Sequence, residues 1–139
     1  MEFNAQRMVD MIDFLETEVE KNHFDMRSWV KTNLKDSQKI KQALTKKSDA
    51  HHCQTAACSW GYAPLIWPED WDYEAGDRYA RIKPLNRFAR IQMWDWFGIS
   101  FAEVLELFED DKAMKRNLKQ QIIKLKRFLS EKGYKIVSE

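Results

Sequence analysis

Turn-forming residues are scarce in this chain, with 4 Gly and 3 Pro in 139 residues, against usual shares of about 7% and 5%. Strand-rich folds need frequent turn residues, so the scarcity argues for long helices and few hairpins. Two cysteines are too few for a secreted disulfide scaffold and point to a reducing cytoplasm. No stretch nears the roughly 18 to 20 continuous apolar residues of a membrane span, which removes the membrane as an expected partner. The start, MEFNAQRMVDMIDFLE, carries acids where a secretory leader has a basic and then an apolar stretch. One-sided charge is absent too: 23 Lys plus Arg against 22 Asp plus Glu give a net charge of +1, so the whole molecule is no polycation. A Gly-rich phosphate loop, a helical metalloprotease motif and a nucleophile elbow are all missing, so no cofactor is expected.

Apolar material, by contrast, is plentiful. Hydrophobic residues make up 44% and aromatic residues 13% of the chain, with 6 Trp and 8 Phe, too much for a segment that stays unfolded. The length suits one domain. The resulting expectation is a mainly α fold: a single compact helical domain over residues 1–139, of about five helices with a long aromatic-rich loop.

Periodicity places the helices. Met8, Met11, Ile12, Leu15 and Val19 form one stripe and predict a helix over about 4–21. Residues 23–29 read as an aromatic-rich connection, and 31–47 as a second helix with only Leu34, Ile40 and Leu44 to bury. A third helix is expected after Thr55 as N-cap, stopping near Pro64. From Ile66 to Lys83 the pattern dissolves into Pro68, Gly76 and alternating acids and Trp, which reads as loop with room for a short strand at 78–82. Leu85, Ala89, Met93, Trp96 and Phe97 mark a fourth helix closed by Gly98. Ser100 and Glu103 form a capping box, with Ile99 and Val104 at the positions of a hydrophobic staple. They open a helix over 100–109 whose inner face is read as Phe101, Val104, Leu105 and Phe108. The last helix, about 111–132, ends at Gly133. It sets an apolar arc of Met114, Leu118, Ile122, Leu125 and Leu129 apart from a basic ridge of Lys112, Lys115, Lys119 and Lys126.

The net charge of +1 hides segregation along the chain. Residues 1–30 hold three bases and seven acids, 31–47 six Lys and one Asp, 101–111 five acids and no base, and 112–135 nine bases and one acid. A polarised surface is expected.

Chemistry, if there is any, begins at Asp49-Ala50-His51-His52-Cys53-Gln54-Thr55-Ala56-Ala57-Cys58. His51, His52, Cys53 and Cys58 are the candidate zinc ligands, with His23 as a distant fourth, but the spacing fits a zinc knuckle poorly. A Cys53 nucleophile would take His51 or His52 as base and Asp49 as its orienting carboxylate. The plainer reading keeps Cys58 as a small buried hydrophobe and leaves the metal and catalytic lists empty. Trp67 and Trp71 flank Pro68-Glu69-Asp70, where an aromatic with a polar tip serves a core or a binding surface. Rings beside Arg78, Arg81, Lys83, Arg87 and Arg90 fit stacking on single-stranded nucleic acid, though Glu69, Asp70, Asp72, Glu74 and Asp77 would repel phosphate. The C-terminal ridge with Lys115, Lys119 and Lys126 is the better nucleic-acid candidate.

Phe24-Asp25-Met26-x-x-Trp29, then Cys53-x-Thr55-x-x-Cys58-x-x-Gly61-x-Ala63, then Phe97-Gly98-Ile99-Ser100 and Leu107-Phe108 occur in that order. This series resembles a group of small uncharacterised bacterial and bacteriophage proteins, which carry Phe-Asp-Met-x-x-Trp, Cys-Gly-Thr-x-x-Cys-x-x-Gly-x-Ala and a Leu-Gly-Leu-Ser helix boundary. This chain departs from the pattern at Gln54, which stands in place of a glycine, and by its Lys-rich segment 31–47. The resemblance implies a phage or mobile-element origin. It also implies a structural role for Cys53, Thr55, Cys58 and Gly61 at the start of a packed helix, and it carries no activity with it.

Together these readings favour a non-enzymatic, phage-encoded accessory or counter-defence factor that binds a host protein in the cytoplasm. The alternatives are a nucleic-acid-binding module using the basic C-terminal helix, and a zinc-dependent or thiol enzyme at the Cys/His segment. The oligomeric state is left open by the sequence.

Overall fold

The computed structural model describes residues 2–45, 55–85 and 93–134. In chain order it runs α1 (Ala5–Glu18), β1 (Val30–Lys31), α2 (Ser37–Leu44), β2 (Ala56–Ala57), α3 (Ala63–Ile66), β3 (Trp71–Glu74) and β4 (Tyr79–Pro84). The chain continues through α4 (Met93–Phe97), α5 (Phe101–Val104), α6 (Asp111–Met114) and α7 (Leu118–Glu131). Short 3-10 turns lie at Lys21–His23 and Trp60–Tyr62.

The mainly α expectation is corrected here to a mixed α/β domain. The four strands form one antiparallel sheet in the order β2-β1-β4-β3. Residues read as loop are the β3–β4 hairpin, in which Tyr73 faces Ile82 and Trp71 faces Pro84. Its alternation is regular: Trp71, Tyr73, Ala80 and Ile82 point into the core while Glu74 and Arg81 lie outside. The short strand foreseen at 78–82 is thus the longer β4. Glycine scarcity misled because this sheet contains one hairpin, whose turn uses Gly76. A Cβ there would collide with the carbonyl of Tyr79. The two-residue strands β1 and β2 are joined instead through the long connection that contains α2.

Two further helices move for local reasons. Thr55 does not cap a helix; its buried hydroxyl meets that of Thr32 at 2.9 Å, and β2 follows it. Pro64 does not stop the third helix but starts one, at the first turn of α3, where a missing N–H costs nothing. The reading of 31–47 as one helix shrinks to α2, which is capped by the Asp36 carboxylate accepting from the Gln38 amide.

The C-terminal half follows its caps closely. Gly98 closes α4 at φ 67°, where a side chain would meet the backbone of Glu2. Both arms of the Ser100–Glu103 capping box are present, at 3.1 and 2.8 Å. After Val104 the helix widens into a five-residue π turn, Leu105–Glu109, whose closing bond runs from the Asp110 amide to the Leu105 carbonyl. The extra residue per turn rotates the face. Leu107 and Phe108 are buried, while Leu105 and Phe101 are exposed, against the expectation that both were inner residues.

The predicted 111–132 helix is broken. Asn117 and Gln120 make a second capping box, so α7 starts afresh at Leu118. Its buried side is Gln121, Leu125, Phe128 and Leu129, and Met114 is exposed. At its end the Tyr134 amide bonds the Leu129 carbonyl and the Gly133 amide bonds that of Ser130, with Gly133 at φ 91°. That is a Schellman closure.

Gln121 ties this half together. Fully buried, it donates to the Leu107 carbonyl at 2.9 Å and to the Ser59 hydroxyl at 3.0 Å, and accepts from the Arg116 guanidinium at 3.0 Å. Arg116 also donates to the carbonyls of Leu107 and Glu106, so the π turn's free carbonyls are met by side chains. Gln121→Ala should cost about 2–3 kcal/mol, because it strands buried polar atoms and leaves a void. Urea unfolding measures this directly, and a loss below about 0.5 kcal/mol would remove Gln121 from this role.

Candidate functional site

Helix α7 leans on α1, and the charge blocks of the sequence meet across that contact. Lys126 reaches Glu16 of α1 at 2.8 Å, Lys124 reaches Glu106 of the π turn at 2.8 Å, and Lys132 reaches Glu103 at 2.6 Å. Segregation along the chain therefore becomes partial neutralisation in space. Each such exposed pair contributes up to about 1 kcal/mol. Burial raises the Glu103 carboxyl's pKa, but Lys132 and the Ser100 amide outweigh it and hold the group below its ordinary value.

Other cations stay unneutralised. Lys112, Lys115, Lys119 and Arg127 have no ion pair among the described residues. They flank two adjoining grooves. The first, of about 470 Å³, lies between α1 and α7, with Leu15, Val19, Leu118 and Ile122 as its floor and Lys21, Lys119 and Lys126 at its rim. The second, of about 430 Å³, is bordered by Lys112, Lys115, Lys124 and Arg127. Ile123, 47% exposed, belongs to both. Arg116 also borders the second groove, but burial lowers its pKa and its donors are held by the π turn. It is a structural cation.

The sequence-derived site residues separate in space. Lys115 and Lys119 are exposed on this face, and Lys126 is there but bound to Glu16. Trp71 is 2% exposed and belongs to the core, so it offers no surface for binding. Trp67 is half-buried, edge-on to Trp96 with ring centres 5.3 Å apart. Arg78 and Arg81 are exposed around the sheet, and Arg78 lines a separate pocket. Ile123 was missed because it falls outside the inner arc of α7 and carries no charge. Nothing in the sequence marked it, because its exposure is set by packing.

Of the Cys/His segment, His51, His52 and Cys53 lie outside the described residues. Cys58 is buried, and burial pushes its thiol up to about 12. His23 is buried with Nδ1 3.0 Å from the Thr55 carbonyl. Among the described residues no group of His, Cys, Asp and Glu is arranged to hold a metal ion, and no helix is long and apolar enough to cross a membrane.

In comparisons with known proteins, no family model, no curated protein and no solved structure matches the chain.

Cys58 yields a direct check. With its thiol near 12 and its side chain shielded, the remaining thiol of a Cys53→Ser variant should resist Ellman's reagent at mildly alkaline pH and react stoichiometrically once the chain is unfolded in guanidinium. Prompt reaction in the folded protein would make Cys58 an accessible thiol.

Proposed function

We propose that the protein is a non-enzymatic interaction factor whose α1–α7 face receives an acidic amphipathic helix of a host protein. The observation that carries this reading is Ile123, a half-exposed aliphatic side chain where two grooves meet, ringed by Lys112, Lys115, Lys119 and Arg127, which have no ion pair among the described residues. An aliphatic floor with a cationic rim suits helix-in-groove recognition, in which apolar anchors supply affinity and the rim selects charge and speeds encounter. The described lining holds no aromatic ring on which a base would stack, which favours a protein partner over nucleic acid. Resemblance of the spaced Phe24–Trp29, Cys53–Ala63 and Phe97–Phe108 sequence elements to small bacterial and bacteriophage proteins supports an accessory or counter-defence role. Such a factor acts in the host cytoplasm.

Fluorescence anisotropy with two labelled probes tests it: an acidic amphipathic helical peptide, and a single-stranded oligonucleotide of equal charge. The peptide should bind, and Ile123→Asp should weaken it at least tenfold, as loss of an interface anchor does. Lys115→Glu with Lys119→Glu should slow association and flatten its salt dependence. Binding of the oligonucleotide in preference to the peptide, abolished by the same charge reversal and indifferent to Ile123→Asp, would overturn the reading in favour of nucleic acid.

A further inference from the structure

A separate concavity of about 540 Å³ lies beside the sheet and shares no lining residue with the α1–α7 grooves. The 3-10 turn at Lys21–His23 contributes Asn22 and leads to Phe24, while β1 and the residues after it contribute Lys31 and Asn33. Arg78 and Tyr79 enter at the start of β4. The volume is in the range of small-molecule sites.

The frame is held by hydrogen bonds. The Thr32 amide donates to the Arg78 carbonyl at 2.8 Å, the Thr32 hydroxyl meets that of Thr55 at 2.9 Å, and the Asp25 amide donates to the Ala57 carbonyl at 2.9 Å. Phe24 bridges to Ala57. A pocket fixed in this way loses little order on binding.

Its unspent chemistry is of three kinds. Tyr79 is 53% exposed and Phe24 half-buried, and neither makes a ring–ring contact among the described residues, so ring surface is free. The side-chain amides of Asn22 and Asn33, each with donors and an acceptor, have no hydrogen-bond partner among the described residues. Lys31 and Arg78 are exposed cations without an ion pair there. The single acid of the lining, Asp25, is bound by Arg27, which donates to its two oxygens at 3.0 Å each, and it also lies within electrostatic reach of Lys31. The mouth is therefore positive.

We propose that this pocket binds one nucleoside monophosphate unit. The base stacks on the Tyr79 ring, asparagine amides address its edge, and the phosphate lies between Lys31 and Arg78. A bare anion would leave the rings and amides unused, and an acidic side chain has no face to stack. The unit has two sources, a free mononucleotide or the terminal nucleotide of a single strand.

Calorimetry on the full chain with AMP, GMP, CMP and UMP tests the site, with adenosine and inorganic phosphate as fragments and a 5′-phosphorylated tetranucleotide as the second source. At least one mononucleotide should bind at least tenfold more tightly than either fragment. Tyr79→Ala and the pair Lys31→Ala, Arg78→Ala should each weaken it about tenfold, while Tyr79→Phe keeps the ring and the affinity. Equal affinity for mononucleotide and tetranucleotide identifies the free ligand as the source, and a clear preference for the tetranucleotide, still lost in Tyr79→Ala, identifies a strand end. Ile123→Asp should leave nucleotide binding unchanged, which separates this site from the α1–α7 face. No binding of any nucleotide at millimolar concentration would overturn the proposal, as would binding matched by phosphate alone or unaffected by Tyr79→Ala in a variant whose circular dichroism is native.

Discussion

Edge-to-face packing of tryptophan rings joins the sheet to the helices, and the rest of the structure depends on it. Trp71 of β3 meets Trp60 with ring centres 5.1 Å apart and Trp96 of α4 at 5.3 Å, both nearly perpendicular. Phe97 extends the contact to Trp60 and stacks on Phe108 in the π turn at 5.8 Å. From α1, Arg7 lays its guanidinium 3.5 Å over the Trp96 ring and donates to the Trp96 carbonyl at 2.9 Å. Sheet, α1, α4 and the π turn thus share one aromatic junction. Its cost shows in the indole N–H groups of Trp71 and Trp96, which are buried without a hydrogen-bond partner among the described residues. Each such orphan costs about 1–3 kcal/mol, offset in part because aromatic pairs contribute about 0.5–1.5 kcal/mol beyond their buried area and ring faces accept N–H weakly.

This junction decides where function can sit. Trp60, Trp71 and Trp96 are committed to this core and offer little surface to a partner, whereas Trp29 is 40% exposed and Trp67 and Trp94 are half-buried. The two surfaces proposed for binding, the cation-rimmed grooves around Ile123 and the Tyr79 pocket, are lined by other residues. Charge follows the same division. Acidic α1 and the acidic π turn neutralise part of basic α7 through Glu16–Lys126 and Glu106–Lys124, while Lys112, Lys115, Lys119 and Arg127 have no ion pair among the described residues.

Signals with a fixed local geometry were legible in the sequence. The stripe from Met8 to Leu15 is the buried face of α1, Ser100 and Glu103 cap as their spacing requires, and Gly98 and Gly133 take the positive φ that ends a helix. Signals that depend on distant partners were not. Trp71-Asp72-Tyr73-Glu74 alternates as a strand should, but four residues are too few to outweigh a helical composition. Its strand character depends on pairing with β4 and on Trp60 and Trp96 beneath it. The π turn exchanged Leu105 for Leu107 in the core, which no 3.6-residue pattern anticipates. The Asn117–Gln120 box was visible, yet the apolar arc running through Met114 and Leu118 concealed it. At the α1–α7 face the lysines were legible and the isoleucine between them was not, because only the packed structure tells an exposed apolar residue from a buried one.

If one aromatic junction holds sheet and helices together, they should open together. Native-state hydrogen exchange across increasing denaturant follows this residue by residue. The account predicts that the slowest amides of β4 around Ile82, of α1 around Met11 and of α7 around Leu125 exchange only through a common global opening, with the same free energy and denaturant dependence. If the β3–β4 hairpin opens at markedly lower free energy while α1 and α7 stay protected, the tryptophan junction is not what unites the fold.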